Sequence, residues 1–299
     1  MDARTETPFF IVGAHRSGTT MLRLMLNAHP RLAVPFESDF IRLFYYRLAE
    51  YGDLHQDENF DRLFADVSRD PFVIKARLME NPEAVREAAD RSLSGLFAAM
   101  LSDFARRNGK QRWGDKTPDY VEHLDALWNM FPGCQIIHLV RDGRDVALSL
   151  SHVSWGTTHI ERAASDWARM TTLGRKMGRM ISDSYLEVRY ESLVTDPPRE
   201  LQAICDFLGE PYAPEMLEYP DSAYAYMPAE SMQWHRSSVS PPTTAKIFRW
   251  KEEMSLADQI IFEEIAGPAL DLFGYERVSH RPTLRSHAKR LYYHTIRRW

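Results

Sequence analysis

Cysteine is scarce: Cys134 and Cys205 are the only two in 299 residues, far apart and without metal-ligand or redox spacing. That excludes a disulfide framework and a cysteine-based metal site. Two buried thiols in a reducing, cytoplasmic setting are expected, with one long-range disulfide as the alternative. Charge of one sign is also missing. With 37 Lys and Arg against 42 Asp and Glu, the formal net charge is −5, so bulk charge gives no support for nucleic-acid or membrane binding. Any polyanion must therefore meet a local cluster of cations. No run of about 18 apolar residues occurs, so no bilayer-spanning helix is expected. The opening residues include Asp2 and Glu6 and reach Gly13 after a few apolar positions, which reads as neither a signal peptide nor an anchor. Internal repeats and low-complexity linkers are absent as well. What remains is 44% hydrophobic and 26% charged, enough for a sizeable globular core.

Phe9-Phe10-Ile11-Val12 is a short apolar run ended by Gly13 and predicts a buried parallel strand. A helix is expected over 19–27, stopped by His29-Pro30. Residues 40–112 are rich in helix formers at helical spacing, interrupted near Pro71 and Pro82, and read as a helical insertion. Thr117-Pro118 predicts an N-cap and first-turn proline for a helix ending near Pro132-Gly133. Strands are expected at 135–140 and 185–189, the first followed by helix from Asp142. Asp196 and Pro197 then open a helix that Gly209 closes. Strands alternating with helices predict an α/β three-layer sandwich with a mostly parallel central sheet. The expected domain is 1–276. Residues 277–299 form a basic tail carrying Arg277, Arg281, Arg285, Lys289, Arg290, Arg297 and Arg298. That tail reads as a solvated helix or as a peripheral membrane or partner contact.

The most informative segment is Gly13-Ala14-His15-Arg16-Ser17-Gly18-Thr19-Thr20, placed between the first strand and the first helix. Small residues let backbone N–H groups face a phosphate, and the helix N-terminus adds a favourable dipole. The spacing imitates the nucleotide-triphosphatase loop, but Thr19 stands where that motif has lysine. The loop's cation must therefore be Arg16. A second cluster, Arg141-Asp142-Gly143-Arg144-Asp145, leaves the carboxyl end of a strand, and Ser149 lies on the helix that follows. Open α/β sheets bind ligands at that edge, and a guanidinium with a hydroxyl suits a phosphate monoester. A helix-start salt bridge among the same charges is the alternative reading.

Together the two motifs resemble the sulfotransferases that use 3′-phosphoadenosine 5′-phosphosulfate (PAPS). The wording from Arg16 through Met21-Leu22-Arg23 to Asn27-Ala28-His29-Pro30 is similar to the tyrosylprotein sulfotransferase branch. The match continues through Gly114-Asp115-Lys116-Thr117-Pro118, Phe131-Pro132 and Val188-Arg189-Tyr190-Glu191-Ser192-Leu193, with a looser echo at 236–250. The resemblance implies a P-loop-like fold and metal-independent transfer of a sulfuryl group to an acceptor hydroxyl, releasing 3′,5′-ADP. It implies that Arg16, Ser17, Gly18, Thr19 and Thr20 hold the 5′-phosphosulfate, with Arg141 and Ser149 on the 3′-phosphate. Tyr190 and Ser237 match further cofactor contacts, and Trp113 and Arg249 are candidates for the adenine and ribose. Val153 departs from the branch, which has a basic residue there. The branch is also normally membrane-anchored in an oxidising lumen, whereas no anchor is expected here and cysteines are few, so cofactor use is expected to carry over but the protein-tyrosine acceptor is not.

The chemistry needs a base for the acceptor hydroxyl and a cation for the leaving oxygen. Glu37 falls at the branch's catalytic glutamate, and flanking by Pro35 and Phe36 predicts a partly desolvated carboxylate with a raised pKa. Lys116 matches the lysine on the leaving group, and Arg16 assists it. His15, His29 and His138 are the alternative bases, each in a position that favours a structural role. Trp234, Phe248 and Trp250 read as core or lid. The acceptor is open among small molecule, sugar, lipid and peptide tyrosine. The alternative function is a P-loop kinase or triphosphatase, with Asp142 as its magnesium ligand; it lacks the loop lysine.

Overall fold

The computed structural model describes residues 7–278 except 224–225 and 236–237. Five parallel strands form one sheet in the order β2-β3-β1-β4-β5. At its centre β1 (Phe9–Val12) is buried along its whole length, as expected of a strand covered on both faces. The loop after it opens α1 (Thr19–Ala28), and the two-residue β2 (Leu32–Ala33) follows. The insertion is helical: α2 (Phe40–Phe44), α3 (Asp57–Arg69), α4 (Pro71–Lys75), α5 (Pro82–Ala88) and α6 (Leu93–Arg107). Pro71 and Pro82 begin helices here, behind Asp70 and Asn81 whose side chains accept from first-turn N–H groups.

β3 (Arg112–Lys116) is a strand that hydrophobic patterning misses, because its sequence is RWGDK. Its charged side chains are nevertheless buried and partnered. Arg112 donates to the carbonyls of Thr7 and Leu208 and to Gln135. β3 pairs with β1 in parallel, Ile11 opposite Lys116. The long helix expected from Thr117 is corrected: a 3₁₀ turn spans Pro118–Glu122, His123 breaks it at φ −129°, and α7 is only Leu124–Met130. The Thr117 hydroxyl donates to Asp115 at 2.9 Å instead of capping the turn.

β4 (Gln135–Val140) and β5 (Tyr185–Arg189) fall where expected, separated by α8 (Gly143–Leu150) and α9 (Ile160–Gly178). After β5 come α10 (Tyr190–Thr195), then α11 (Pro197–Leu208), capped by Asp196 and closed by Gly209 at φ 77°. The remainder is α12 (Tyr219–Ala223), α13 (Met232–His235), α14 (Trp250–Glu253) and α15 (Leu256–Leu272). Helix α9 packs against α15, α8 and α7, whereas α1 packs against α12 and the turn at Pro214–Leu217. No helix among the described residues is long and apolar enough to cross a membrane. Cys134 and Cys205 are free and buried. The carboxyl ends of β1, β3, β4 and β5 deliver Gly13, Lys116, Arg141 and Tyr190 to one edge of the sheet. That edge is the ligand edge of an open α/β sheet.

Candidate active site

At this edge lies a cavity of about 510 Å³, a size that suits a small-molecule site. The loop after β1 forms its floor. Gly18 sits at φ 99°, and a Cβ there would lie 2.5 Å from the Tyr190 ring, so the position requires glycine. Arg16 also takes a positive φ, 66°, a turn that carries its side chain toward α8. No side chain caps the N-terminus of α1. Ser17 is fully buried, and its hydroxyl has no hydrogen-bond partner among the described residues. A buried polar group without a partner is costly unless a ligand satisfies it.

The second motif meets the first. The Arg16 Nε donates to the Ser149 hydroxyl at 3.0 Å, and its Nη2 to the Trp234 carbonyl at 3.1 Å. The Arg141 guanidinium donates to the Arg16 carbonyl at 3.2 Å and to the Lys246 carbonyl at 2.6 Å, and lies 4.5 Å over the Tyr190 ring. Its Nε lacks a partner among the described residues. Asp145 accepts from the Phe248 and Trp250 amides, fastening the segment before α14 beside the cavity. The salt-bridge alternative describes the other half of the motif. Arg144 is buried and binds Asp142 through two nitrogens and Glu263 through a third.

Lys116 is fully buried and donates to Glu37, with the Thr20 hydroxyl 3.4 Å away. Glu37 differs from expectation. Burial does favour its neutral form, but the Lys116 charge and hydrogen bond outweigh burial and bring its pKa below the ordinary carboxylate value. The same pair works on Lys116, where desolvation prevails over Glu37 and lowers the ammonium's pKa. His235, lining the same region, is lowered to about 3 by burial and then by Lys116, so it is neutral. His15 Nε2 lies 2.7 Å from Asp119, which also accepts from Arg42 at 2.6 Å. Burial opposes the charged imidazole, but the Asp119 contact prevails and raises its pKa.

The structure thus brings Arg16, Gly18, Thr19, Thr20, Glu37, Arg141, Ser149 and Tyr190 to one cavity, with Ser17 and Lys116 buried beside it. Ser237 lies outside the described residues, as does the tail beyond Val278. Trp113 is a correction: it packs against Phe10, Phe97 and Phe131 in the core and does not line the cavity. Arg249 does line it, with its guanidinium paired to Glu253. His29 is buried against the Pro211 carbonyl, and His138 is buried against the Tyr185 hydroxyl. Trp250 is core, Trp234 lines the cavity, and Phe248 is 40% exposed. Sequence reasoning missed Arg42, Lys75, Asp119, Trp155, His235 and Lys246 as lining residues. Only Asp119 carried a signal, standing directly after Thr117-Pro118.

A parallel sheet with a phosphate-type loop and a basic second motif at one edge defines a P-loop-like group-transfer protein. A model of the sulfotransferase family matches residues 8–214, and the chain belongs to that family. Protein-tyrosine sulfotransferase 1 of Danio rerio is 23% identical to it, covering 91% of this chain and 73% of the relative. The sulfotransferase domain of the Synechococcus PCC 7002 olefin synthase superposes with a TM-score of 0.63 at 28% identity, covering 91% of this chain and 96% of that one. An uncharacterized Aquifex aeolicus protein is 22% identical over 90% of this chain, which spans only 34% of that longer protein.

Proposed function

We propose that this sulfotransferase moves the sulfuryl group of PAPS to an acceptor hydroxyl, giving a sulfate ester and 3′,5′-ADP, without a metal. The observation that carries the reading is the Arg16–Ser149 hydrogen bond, which joins the two anion-suited motifs in one cavity. Arg16, Ser17, Gly18, Thr19 and Thr20 would hold the 5′-phosphosulfate. Arg141 and Ser149 would hold the 3′-phosphate, with Tyr190 and Ser237 as further contacts. The unpartnered Ser17 hydroxyl and Arg141 Nε are what a charged phosphate would satisfy.

In the transfer, the acceptor oxygen forms a bond to sulfur while the bond from sulfur to the bridging phosphate oxygen breaks. The acceptor's proton passes to the Glu37 carboxylate, and the bond electrons leave with the bridging oxygen. Lys116, now on Glu37, would turn to that oxygen, with Arg16 assisting. A kinase or triphosphatase would need Asp142 for magnesium, but that carboxylate is fully buried and held by Arg144. On this reading residues 1–276 are the catalytic domain and 277–299 a basic appendage. The free, buried state of both thiols supports a cytoplasmic setting.

Thermal shift with 3′,5′-ADP, 5′-AMP and magnesium-ATP tests the proposal. Saturating 3′,5′-ADP at about 100 times its Kd should stabilise by roughly 2.7 kcal/mol, equally well in excess chelator. Preference for ATP with magnesium would refute it.

A further inference from the structure

The proposed transfer uses Arg16 and Glu37 but not His15, whose half-buried ring lines the same cavity. His15 comes directly before Arg16 in the loop after β1, within the segment that would meet the phosphosulfate. Its ring is held on two sides. Nε2 lies 2.7 Å from Asp119 Oδ1, and the Trp155 indole meets the ring edge-on, with centroids 5.7 Å apart. Asp119 is fixed in turn, because Arg42 donates to its other oxygen at 2.6 Å. Both carboxylate oxygens are thus committed, which sets the orientation of the imidazole.

We infer that His15 is a further catalytic residue: as an imidazolium it donates its Nδ1 hydrogen to a sulfuryl oxygen of PAPS, with Asp119 as its positioning residue. This rests on the sulfotransferase reading and adds a residue to it. With Nε2 donating to Asp119, the other nitrogen decides what the ring offers a ligand. Among the described residues Nδ1 has no hydrogen-bond partner. A neutral ring would present a lone pair there, and an imidazolium a hydrogen. The surrounding charges choose between the two. Asp119 from the turn after β3 and Glu37 from the loop before α2 favour the cation, whereas burial and Lys116 at the end of β3 oppose it. The carboxylates prevail and hold the ring's pKa above the ordinary 6.5.

In sulfuryl transfer, charge is spread over the oxygens that neither attack nor leave. Lys116 and Arg16 are proposed for the bridging oxygen and Glu37 for the acceptor's proton, which leaves those sulfuryl oxygens to be met. A donor already aimed at them stabilises the developing charge without reorganising during the step. His15 would neither gain nor lose a proton in the transfer, so the balance of the reaction is unchanged.

Hydrolysis of PAPS by the full chain, set beside 3′,5′-ADP affinity by calorimetry, tests this role, because 3′,5′-ADP lacks the sulfuryl group. His15→Gln keeps a donor for Asp119 but cannot be charged. It should lower kcat/KM at pH 7 by about tenfold to a hundredfold, the worth of a charge-assisted hydrogen bond. Affinity for 3′,5′-ADP should stay the same. A raised pKa means that the cation is lost as pH rises, so wild-type kcat/KM should fall through the His15 pKa. Loss of the Lys116 proton would give a fall of the same sign, so the variants make the assignment. His15→Gln should remove the fall, and Asp119→Asn should move it down by about one pH unit. Histidine 15N NMR follows the same proton without turnover. The resonance that His15→Gln deletes should titrate above 6.5, move down in Asp119→Asn, and respond to PAPS more than to 3′,5′-ADP. Undiminished hydrolysis in His15→Gln overturns the inference, as does an equal loss of 3′,5′-ADP affinity. So does a rate that rises with pH through the His15 titration, which would make the ring a proton acceptor. Wild-type protein that fails to bind 3′,5′-ADP at all is a separate result: it removes the PAPS reading, and this inference with it.

Discussion

Arg16 donates its Nε hydrogen to the Ser149 hydroxyl across 3.0 Å, joining positions 133 residues apart. Arg141 reinforces the junction from the end of β4 by donating to the Arg16 carbonyl at 3.2 Å. In the proposed complex Arg141 and Ser149 turn to the 3′-phosphate. Arg141→Ala should then weaken 3′,5′-ADP binding by about tenfold to a hundredfold, the worth of a charge-assisted hydrogen bond. The loss for 5′-AMP, which lacks that phosphate, should be small. Calorimetry with both ligands decides; equal losses would place Arg141 in the fold alone.

How far this site could be read from the sequence depends on where its residues come from. The strands β1, β4 and β5 and the two motifs were legible because apolar runs and local spacing encode them. β3 was not, because Arg112, Asp115 and Lys116 break its pattern, and Arg112 and Lys116 are buried through partners distant in the chain. The Glu37 environment was misread for a related reason. Pro35 and Phe36 suggested desolvation, but the charge that outweighs it comes from a residue 79 positions away. The other lining residues were largely illegible. Arg42, Lys75 and Asp119 sit in three separate elements and Trp155 in the loop after α8, with no shared period.

Gly18 offers a test of the loop's backbone. A side chain there would take a left-handed conformation and press into the Tyr190 ring on which Arg141 rests. Gly18→Ala should cost about 1–2 kcal/mol from the backbone alone, with a further loss of 3′,5′-ADP affinity as Tyr190 yields. Thermal unfolding with and without ligand separates the two. A lowered melting temperature with unchanged affinity would show that Tyr190 moves aside freely, and an unchanged melting temperature would refute the backbone strain at Gly18.

His138 predicts acid sensitivity. Burial, then the Arg175 charge, lowers its pKa from the ordinary 6.5 to about 3, so the folded protein holds it neutral. A depressed folded pKa contributes stability that is present above the unfolded value and lost as pH falls from about 6.5 toward 3. At pH 5 the loss is about 2 kcal/mol, from roughly 1.4 kcal/mol per pH unit. His138→Gln keeps a polar partner for the Tyr185 hydroxyl and should shrink the stability difference between pH 7 and pH 5 by that amount. Denaturant unfolding at the two pH values measures it. An identical pH dependence in the variant would mean that His138 is protonated in the fold.

The base assignment yields the sharpest contrast. Glu37 reaches the Lys116 ammonium, and the pair holds it ionised, so it is ready to accept a proton without first losing one. Glu37→Gln keeps the shape but removes the proton acceptor. Turnover should fall by about 10²–10⁴, the usual worth of a positioned base, while 3′,5′-ADP affinity stays nearly the same. Because the pKa lies below the ordinary value, kcat/KM of the wild type should show no fall from protonation of Glu37 between pH 8 and pH 6. Slow hydrolysis of PAPS can report turnover before an acceptor is in hand, provided Lys116→Ala suppresses it. Parallel loss of activity and ligand affinity in Glu37→Gln would assign the residue to holding Lys116. Full activity would pass the role of base to His15, the one histidine in the cavity whose pKa is raised and whose ring is oriented by a carboxylate.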